Sequence, residues 1–234
     1  FYNVHTSTTA DRELMNAKNL LSKDLTLEKE DAPQILIYHT HSQESYKNSK
    51  TDENVVAVGQ KLTDLLTEKG WNVYHDTTVY DLAGGKLDRS RAYTYALEGI
   101  NEILARYPSI QVVLDIHRDG VGENVYLKTE IGGKPTARIM FFNGLSRTRK
   151  NGEIAYLNNP YREDNLATSF QMQLMAARYY PGFTRHIYLK SYRYNLDLAP
   201  KAMLIEAGAQ TNTVEETRNA MEVLADVLSR VLTP

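Results

Sequence analysis

The chain of 234 residues lacks cysteine altogether and has no long hydrophobic run. Without cysteine there can be no disulfide, no thiolate metal ligand and no cysteine nucleophile. No apolar run approaches the roughly 20 residues that a membrane-spanning helix needs, so any membrane anchor is expected outside these residues. The formal net charge of −2 gives no general attraction to nucleic acid, which is therefore not expected as a partner.

The remaining composition is that of one folded domain with a full hydrophobic core, since 42% of the residues are hydrophobic. Short apolar runs alternate with segments whose apolar residues recur at helical spacing, such as Val55, Val58 and Leu62 ahead of Gly70. This alternation predicts an α/β fold: a mostly parallel, twisted sheet of about six strands with helices on both faces.

The pattern also predicts where these elements lie. Strands are predicted at residues 35–39, 71–75, 111–116, 137–142, 186–190 and 202–206. Helices are predicted at residues 53–69, 90–106, 164–179 and 213–231. Residues 1–30 are polar, with a weak helical stripe over residues 9–24, and Asp31-Ala-Pro33 breaks the pattern, so this segment is expected to be a stalk or peripheral helix.

Three predicted strands end in side chains that bind metals or transfer protons. The first is followed by His39, His41 and Glu44, the second runs into His117, and the third ends at Glu206. The carboxyl ends of parallel strands meet at one edge of an open sheet. Histidine and carboxylate ligands that leave one coordination position open are typical of zinc hydrolases. The pattern therefore indicates a metallohydrolase.

Each of these residues also has an ordinary explanation when it is taken alone. Histidine and glutamate in a turn are common surface groups, a histidine at a strand end can be a hydrogen-bonding residue, and a strand-end glutamate can cap a helix. A carboxylate that directly follows an apolar run is nevertheless costly to bury without a partner, and a metal-bound water would be one. Together the three strand ends favour a site.

Three segments resemble the signature segments of a known family: ILIYHTHSQESY (35–46), VVLDIHRDG (112–120) and PKAMLIEAGAQTN (200–212). The family is that of stage II sporulation protein P, a branch of the zinc-dependent N-acetylmuramoyl-L-alanine amidases of the amidase-3 type. The resemblance runs from about residue 33 to the end and includes LDRSR (87–91). It implies an amidase-3-like fold, with residues 31–234 as the zinc amidase catalytic domain.

The resemblance also implies roles for individual residues. Zinc (Zn2+) would be held by His41, Glu44 and His117, with Glu206 as the general base. In the broader amidase group the ligand glutamate lies at the start of the first helix, where this chain has Glu53. The short His-x-x-Glu spacing resembles that of zinc carboxypeptidases and favours Glu44.

Other polar residues are candidates for supporting roles. His39 precedes the proposed ligand and would orient a ligand or contact the substrate. Arg118 and Arg193 would pair with carboxylates of a peptide substrate, because arginine binds carboxylates through two hydrogen bonds. His75, at the end of the second predicted strand, would border the cleft.

The resemblance implies an activity on peptidoglycan: hydrolysis of the amide bond between N-acetylmuramic acid and the first L-alanine of the stem peptide. Cleavage of cross-linked stem peptides would be a second, endopeptidase activity. A zinc carboxypeptidase that trims stem peptides and a non-catalytic peptidoglycan-binding scaffold are the alternatives.

The resemblance finally implies a cellular setting. The full-length protein would be anchored in the membrane of an endospore former and act between the mother-cell and forespore membranes during engulfment. Its expected partners are stage II sporulation protein D, a lytic transglycosylase, and stage II sporulation protein M.

Overall fold

A seven-stranded sheet forms the centre of the protein, in a computed structural model that describes residues 1–234 apart from the side chain of residue 83. In chain order the strands are β1 (Tyr2–Val4), β2 (Ile35–Tyr38), β3 (Val73–His75), β4 (Leu82–Ala83), β5 (Lys86–Leu87), β6 (Val112–Asp119), β7 (Lys128–Ile131), β8 (Lys134–Ala137), β9 (Ile139–Gly144), β10 (Arg147–Thr148), β11 (Gly152–Glu153), β12 (Ile187–Lys190) and β13 (Lys201–Ala209). The helices are α1 (Ala17–Leu21), α2 (Val55–Glu68), α3 (Ala92–Arg106), α4 (Arg162–Tyr179) and α5 (Val214–Leu232), with one 3₁₀ turn at Ala155–Leu157.

The strand order in the central sheet is β1-β12-β9-β13-β6-β2-β3, and three small hairpins lie outside it. Neighbouring strands are parallel except for β9 and β13, which are antiparallel. The sheet therefore has two parallel halves that run in opposite directions. The predicted α/β fold with a mostly parallel sheet is confirmed, with seven strands in place of about six.

Helices cover both faces of the sheet, as predicted. Successive residues of β2 point to opposite faces. Ile35 and Ile37 share a hydrophobic core with Leu62 of α2, and residues of α4 and α5 belong to the same core. Leu36 lies in the second core, together with Ile100 of α3. Within the described part of the chain, no helix is both long and apolar enough to cross a membrane.

The first thirty residues lie against the rest of the chain. The helix expected over residues 9–24 is confined to Ala17–Leu21, because the side chain of Asn16 accepts hydrogen bonds from two backbone N–H groups and fixes the helix start. The unpredicted β1 pairs with β12, and Leu20 is fully buried in the first core. The backbone N–H of Leu27 donates to the carbonyl of Leu232 at 2.8 Å. The boundary at residue 31 stays a prediction.

Candidate metal centre

The loop between β2 and α2 is fixed at both ends by hydrogen bonds. The backbone N–H and the hydroxyl of Thr40 donate to the carboxylate of Asp115 on β6, at 2.9 and 2.6 Å. The N–H of Glu44 donates to the carbonyl of His41 at 3.2 Å, and the carbonyl of Glu44 accepts from the N–H of Val55 at 3.0 Å. These bonds hold two of the polar side chains of the loop, His41 and Glu44, over the end of β6.

His41, Glu44 and His117 come together at this position, with one potential ligand atom from each within 4.8 Å of the others. The Nδ1 atom of His41 lies 3.8 Å from one carboxylate oxygen of Glu44, and the Nδ1 atom of His117 lies 3.6 Å from the other. Glu44 and His117 are buried, and the Nε2 atom of His41 is buried without a hydrogen-bond partner among the described residues. Two imidazoles and one carboxylate fit zinc and leave one coordination position open.

Two arginines contact the carboxylate of Glu44. The backbone N–H of Arg118 donates to Oε2 of Glu44 at 3.0 Å, and a guanidinium nitrogen of Arg89 lies 3.4 Å from Oε1. The guanidinium of Arg118 donates to the carbonyls of Ser45 and Asp119. Arg118 thus orients Glu44 through its backbone, and its pairing with a substrate carboxylate stays a prediction. Arg89 belongs to the LDRSR segment of the resemblance, but the sequence reasoning assigned it no role.

Glu53, the alternative ligand, lies outside this cluster. Its Oε2 accepts a hydrogen bond from the backbone N–H of Lys50, and its Oε1 is 3.6 Å from a guanidinium nitrogen of Arg218. The geometry therefore groups Glu44 with the two histidines. The assignment of Glu44 as a zinc ligand stays a prediction.

Asp115, to which the sequence reasoning assigned no role, contacts the ring of His117. It is buried, and its Oδ1 lies 2.8 Å from Nε2 of His117, off the direction of a well-aligned hydrogen bond. Burial alone would lower the pKa of His117, but the carboxylates of Asp115, Glu44 and Glu206 together outweigh it and raise that pKa to about 9. Asp115 thereby orients the ring so that Nδ1 faces Glu44. The spacing of two residues along one strand, which puts both side chains on one face, was the available signal.

Glu206 lies beside His117, because the two residues are paired in the register of β13 and β6. Glu206 keeps some exposed surface, but its Oε2 is buried and has no hydrogen-bond partner among the described residues. Burial raises the pKa of Glu206 to about 8, with the carboxylates of Asp119 and Glu44 also raising it and His117 opposing. A carboxyl group with such a pKa can both accept and release a proton near neutral pH.

His39 directly follows β2 and lies under α2, on the face of the sheet opposite to that of His117. Its Nδ1 is 3.0 Å from the carbonyl of Ile116, and its Nε2 is 2.9 Å from Nε2 of His75. A Cβ atom at Gly59 would lie 2.5 Å from the His39 ring, so only glycine fits at this point of α2. His39 therefore links the ends of β2 and β6 one residue away from His117. Its role toward a ligand or substrate stays a prediction.

Arg193 lies in a neighbouring cavity of about 260 Å³. Its Nε is 2.9 Å from a carboxylate oxygen of Asp197, so its charge is balanced within the protein. The tyrosines in the wall of this cavity are Tyr93, Tyr192 and Tyr194. The ring of Tyr93, which sequence reasoning also missed, is 5.5 Å from that of His41 and separates the cavity from the metal centre.

A curated relative and two solved structures are similar to this chain. Stage II sporulation protein P of Bacillus subtilis (strain 168) is 28% identical over 219 residues, which are 86% of this chain and 51% of that protein. The chain therefore spans about half the length of this relative.

The solved structures agree in fold. The CwlD amidase from Clostridioides difficile, in complex with the GerS lipoprotein, matches with a TM-score of 0.50 and 15% identity over 84% of this chain and 94% of that chain. The catalytic domain of CwlV, an N-acetylmuramoyl-L-alanine amidase from Bacillus (Paenibacillus) polymyxa var. colistinus, matches with a TM-score of 0.50 and 14% identity over 85% of this chain and 95% of that chain. The fold is thus that of the amidase-3 type of enzyme.

The family comparison covers almost the whole chain. The sequence profile of stage II sporulation protein P matches residues 3–229, which include the three proposed ligands and Glu206. The match extends through the N-terminal segment, upstream of the first signature segment at residues 35–46. On this ground the chain belongs to the stage II sporulation protein P family.

Proposed function

We propose that this chain is a zinc-dependent peptidoglycan hydrolase, an N-acetylmuramoyl-L-alanine amidase of endospore engulfment, with cleavage of cross-linked stem peptides as a second activity. The observation that carries the proposal is the cluster of His41, Glu44 and His117 beside Glu206, at the carboxyl ends of β2, β6 and β13. Membership in the sporulation family and the amidase fold support peptidoglycan as the substrate.

His41, Glu44 and His117 would hold zinc in this proposal. Zinc, when bound, supplies Lewis acidity at the scissile carbonyl and at the attacking water. The chain supplies the rest. Asp115 and the backbone of Arg118 keep His117 and Glu44 in orientation, since Asp115 contacts the ring of His117 and the Arg118 N–H donates to Glu44.

Glu206 is the residue proposed to move the proton. Its free Oε2 would accept a proton from the attacking water and deliver it to the leaving amine. The ring of Tyr93, stacked with that of His117 at a centroid distance of 6.5 Å, would form one wall of the centre.

The setting of the activity is also a proposal. We infer that residues 31–234 are the catalytic domain and that the full-length protein acts between the mother-cell and forespore membranes. Stage II sporulation proteins D and M would be its partners there. The similarity to the Bacillus subtilis relative supports this setting.

Digestion of purified peptidoglycan followed by mass spectrometry tests the proposal. An amidase releases stem peptides with a free L-alanine amino group and leaves glycan strands without peptides. An endopeptidase would instead open cross-links, a carboxypeptidase would release single terminal residues, and a scaffold would release nothing. Zinc should be measured in the same preparation. The control variant Glu53→Gln removes a charge outside the cluster, so it separates the effect of losing a charge from the effect of losing the metal. Absence of free L-alanine amino groups with zinc bound would contradict the amidase proposal.

A further inference from the structure

A strip of the sheet surface next to Glu206 carries no helix. It borders a cavity of about 360 Å³ that opens on the α3 side of β1, β12, β9 and β13. Helix α4 packs against β9 and β12 through the first core, on the opposite face. We call this surface the Lys190 strip, and its residues are Asn3, Met140, Phe142, Tyr188, Lys190 and Glu206. Met140 and Phe142 form its buried floor, and the ring of Tyr194 packs on Phe142, whereas Asn3 is exposed and Lys190 and Glu206 are partly exposed.

The strand register makes the strip continuous with the proposed active site. Glu206 is opposite Met140 on β9, and Tyr188 on β12 is opposite Phe142. Asn3 on β1 is in turn opposite Tyr188. Side chains in these positions point to one face of the sheet, so the strip runs from Glu206 across three further strands.

Lys190 brings an unbalanced positive charge to this strip. Among the side chains that the structure describes, no carboxylate lies within 4 Å of its ammonium group, whereas Arg185 in the same cavity is 2.6 Å from the carboxylate of Asp119. In the aromatic cavity on the other side of the centre, Arg193 is balanced by Asp197. Of the two cavities beside the centre, the strip is thus the one with a cation available for an anionic ligand.

The distance between Lys190 and Glu206 fits a short peptide. Lys190 is opposite Gly144, four residues beyond Met140, and β12 is two strands from β13. Strand dimensions give a separation of about 13 Å along the strand direction and about 10 Å across the strands, which is roughly 16 Å between the Cα atoms of Lys190 and Glu206. The long side chain of lysine shortens this gap to about two or three residues of extended peptide.

We infer that the Lys190 strip binds the stem peptide of the substrate and that Lys190 pairs with a free carboxylate two or three residues beyond the scissile amide. The inference rests on the proposed amidase function and adds the direction in which the substrate lies. Stem peptides carry free carboxylates, and an ammonium group on a partly exposed strand can pair with one without a large desolvation cost.

A pair of synthetic muramoyl peptides tests the inference: one with free carboxylates and one in which every carboxylate is amidated. For Lys190→Met, which keeps the length and apolar stem of the side chain, we expect KM for the charged peptide to rise about tenfold. The value of kcat, and KM for the amidated peptide, should stay within about twofold. Lys61→Met on α2, which packs on the opposite face, is the matched control and should change neither constant.

Binding without turnover gives a second readout. Calorimetric titration of Glu206→Gln with the charged peptide should give a dissociation constant about tenfold lower than titration of the double variant with Lys190→Met. Equal KM changes for both peptides, or equal dissociation constants, would overturn the inference while leaving the amidase proposal intact. Failure of the wild-type protein to cleave either peptide would instead overturn the amidase proposal, and the titration would still decide whether Lys190 binds a carboxylate.

Discussion

Glu206 combines a buried oxygen that lacks a hydrogen-bond partner with a place beside His117. Replacement by glutamine keeps the shape of the side chain but removes the proton acceptor. We expect Glu206→Gln to lower the rate of peptidoglycan hydrolysis about 10² to 10⁴-fold with zinc content unchanged. Rate and zinc should be measured on the same preparation. A variant that keeps more than about a tenth of the wild-type rate would rule out Glu206 as the general base. A variant that is inactive and free of zinc would instead make Glu206 a zinc ligand.

The ligand assignment is tested by metal content. His41→Ala, His117→Ala and Glu44→Gln should each lose bound zinc and activity, because each removes one donor of a three-residue set. Glu53→Gln should keep both, since Glu53 pairs with Arg218 outside the cluster. Elemental analysis after dialysis measures this. Zinc lost from Glu53→Gln but kept by Glu44→Gln would reverse the assignment.

Asp115 should matter without touching the metal. Asp115→Asn removes the negative charge beside Nε2 of His117 while keeping an oxygen for the Thr40 N–H. We expect zinc affinity to fall about 10 to 100-fold in competition with a chelator. Asp64→Asn on the exposed side of α2 is the control. Unchanged affinity would mean that Asp115 serves only to hold the loop.

At the residue scale the sequence predicted the cluster but not its surroundings. His41, His117 and Glu206 each follow an apolar run, so their places at strand ends could be recognised. Arg89 and Tyr93 approach the centre from the loop before α3 and from α3 itself. Arg89 lies in the LDRSR segment of the family resemblance, but neither its type nor that of Tyr93 indicates a contact with the centre, and only tertiary packing brings them close.

At the scale of elements the long helices and buried strands were predicted and β1 was not. Three residues are too few for a periodic signal, and β1 exists because β12 offers an edge for pairing. The antiparallel direction of β9 relative to β13 could not be predicted from the sequence either. Hydrophobic alternation reads the same in both directions along a strand, so it does not fix strand order or orientation.

Helix α1 offers a matched pair of leucines to test how firmly residues 1–30 are held. Leu20 is fully buried in the first core, whereas its neighbour Leu21 is 53% exposed. Leu20→Ala should lower the free energy of unfolding by about 2 to 5 kcal/mol, and Leu21→Ala by less than about 0.5 kcal/mol. Urea unfolding of both variants measures the difference. Equal midpoints would show that α1 contributes little to the core.

At the scale of the whole molecule, the two opposed halves of the sheet explain why the strand-end argument succeeded. β2, β6 and β13 all belong to the half that runs in one direction, so their carboxyl ends share an edge. β9 and β12 run the other way. Residues at the carboxyl ends of those strands are carried to the opposite edge, which the assumption of a single parallel sheet would have misplaced.

The proposed metal joins the β2–α2 loop to β6, so it should stabilise the whole fold. Zinc that binds only the native state adds RT ln(1 + [L]/Kd) to the free energy of unfolding, about 4 kcal/mol at a thousandfold excess over Kd. We expect zinc to raise Tm by roughly 8 to 16 °C in the chelator-treated protein. Glu206→Gln should show the same rise and His41→Ala none. A rise in His41→Ala equal to that of the wild type would place the metal elsewhere.

The lack of a helix over the Lys190 strip has a consequence for the physical form of the substrate. A closed tunnel admits only a chain with a free end, whereas a groove open along its length accepts a chain laid into it from the side. No helix of the described chain lies over the end of the strip on β12 and β1, where Asn3 is exposed and Lys190 partly exposed, so this end is of the second kind. Under the proposed function, a stem peptide tethered at both ends within an intact wall network can therefore enter the strip from the side without prior cutting.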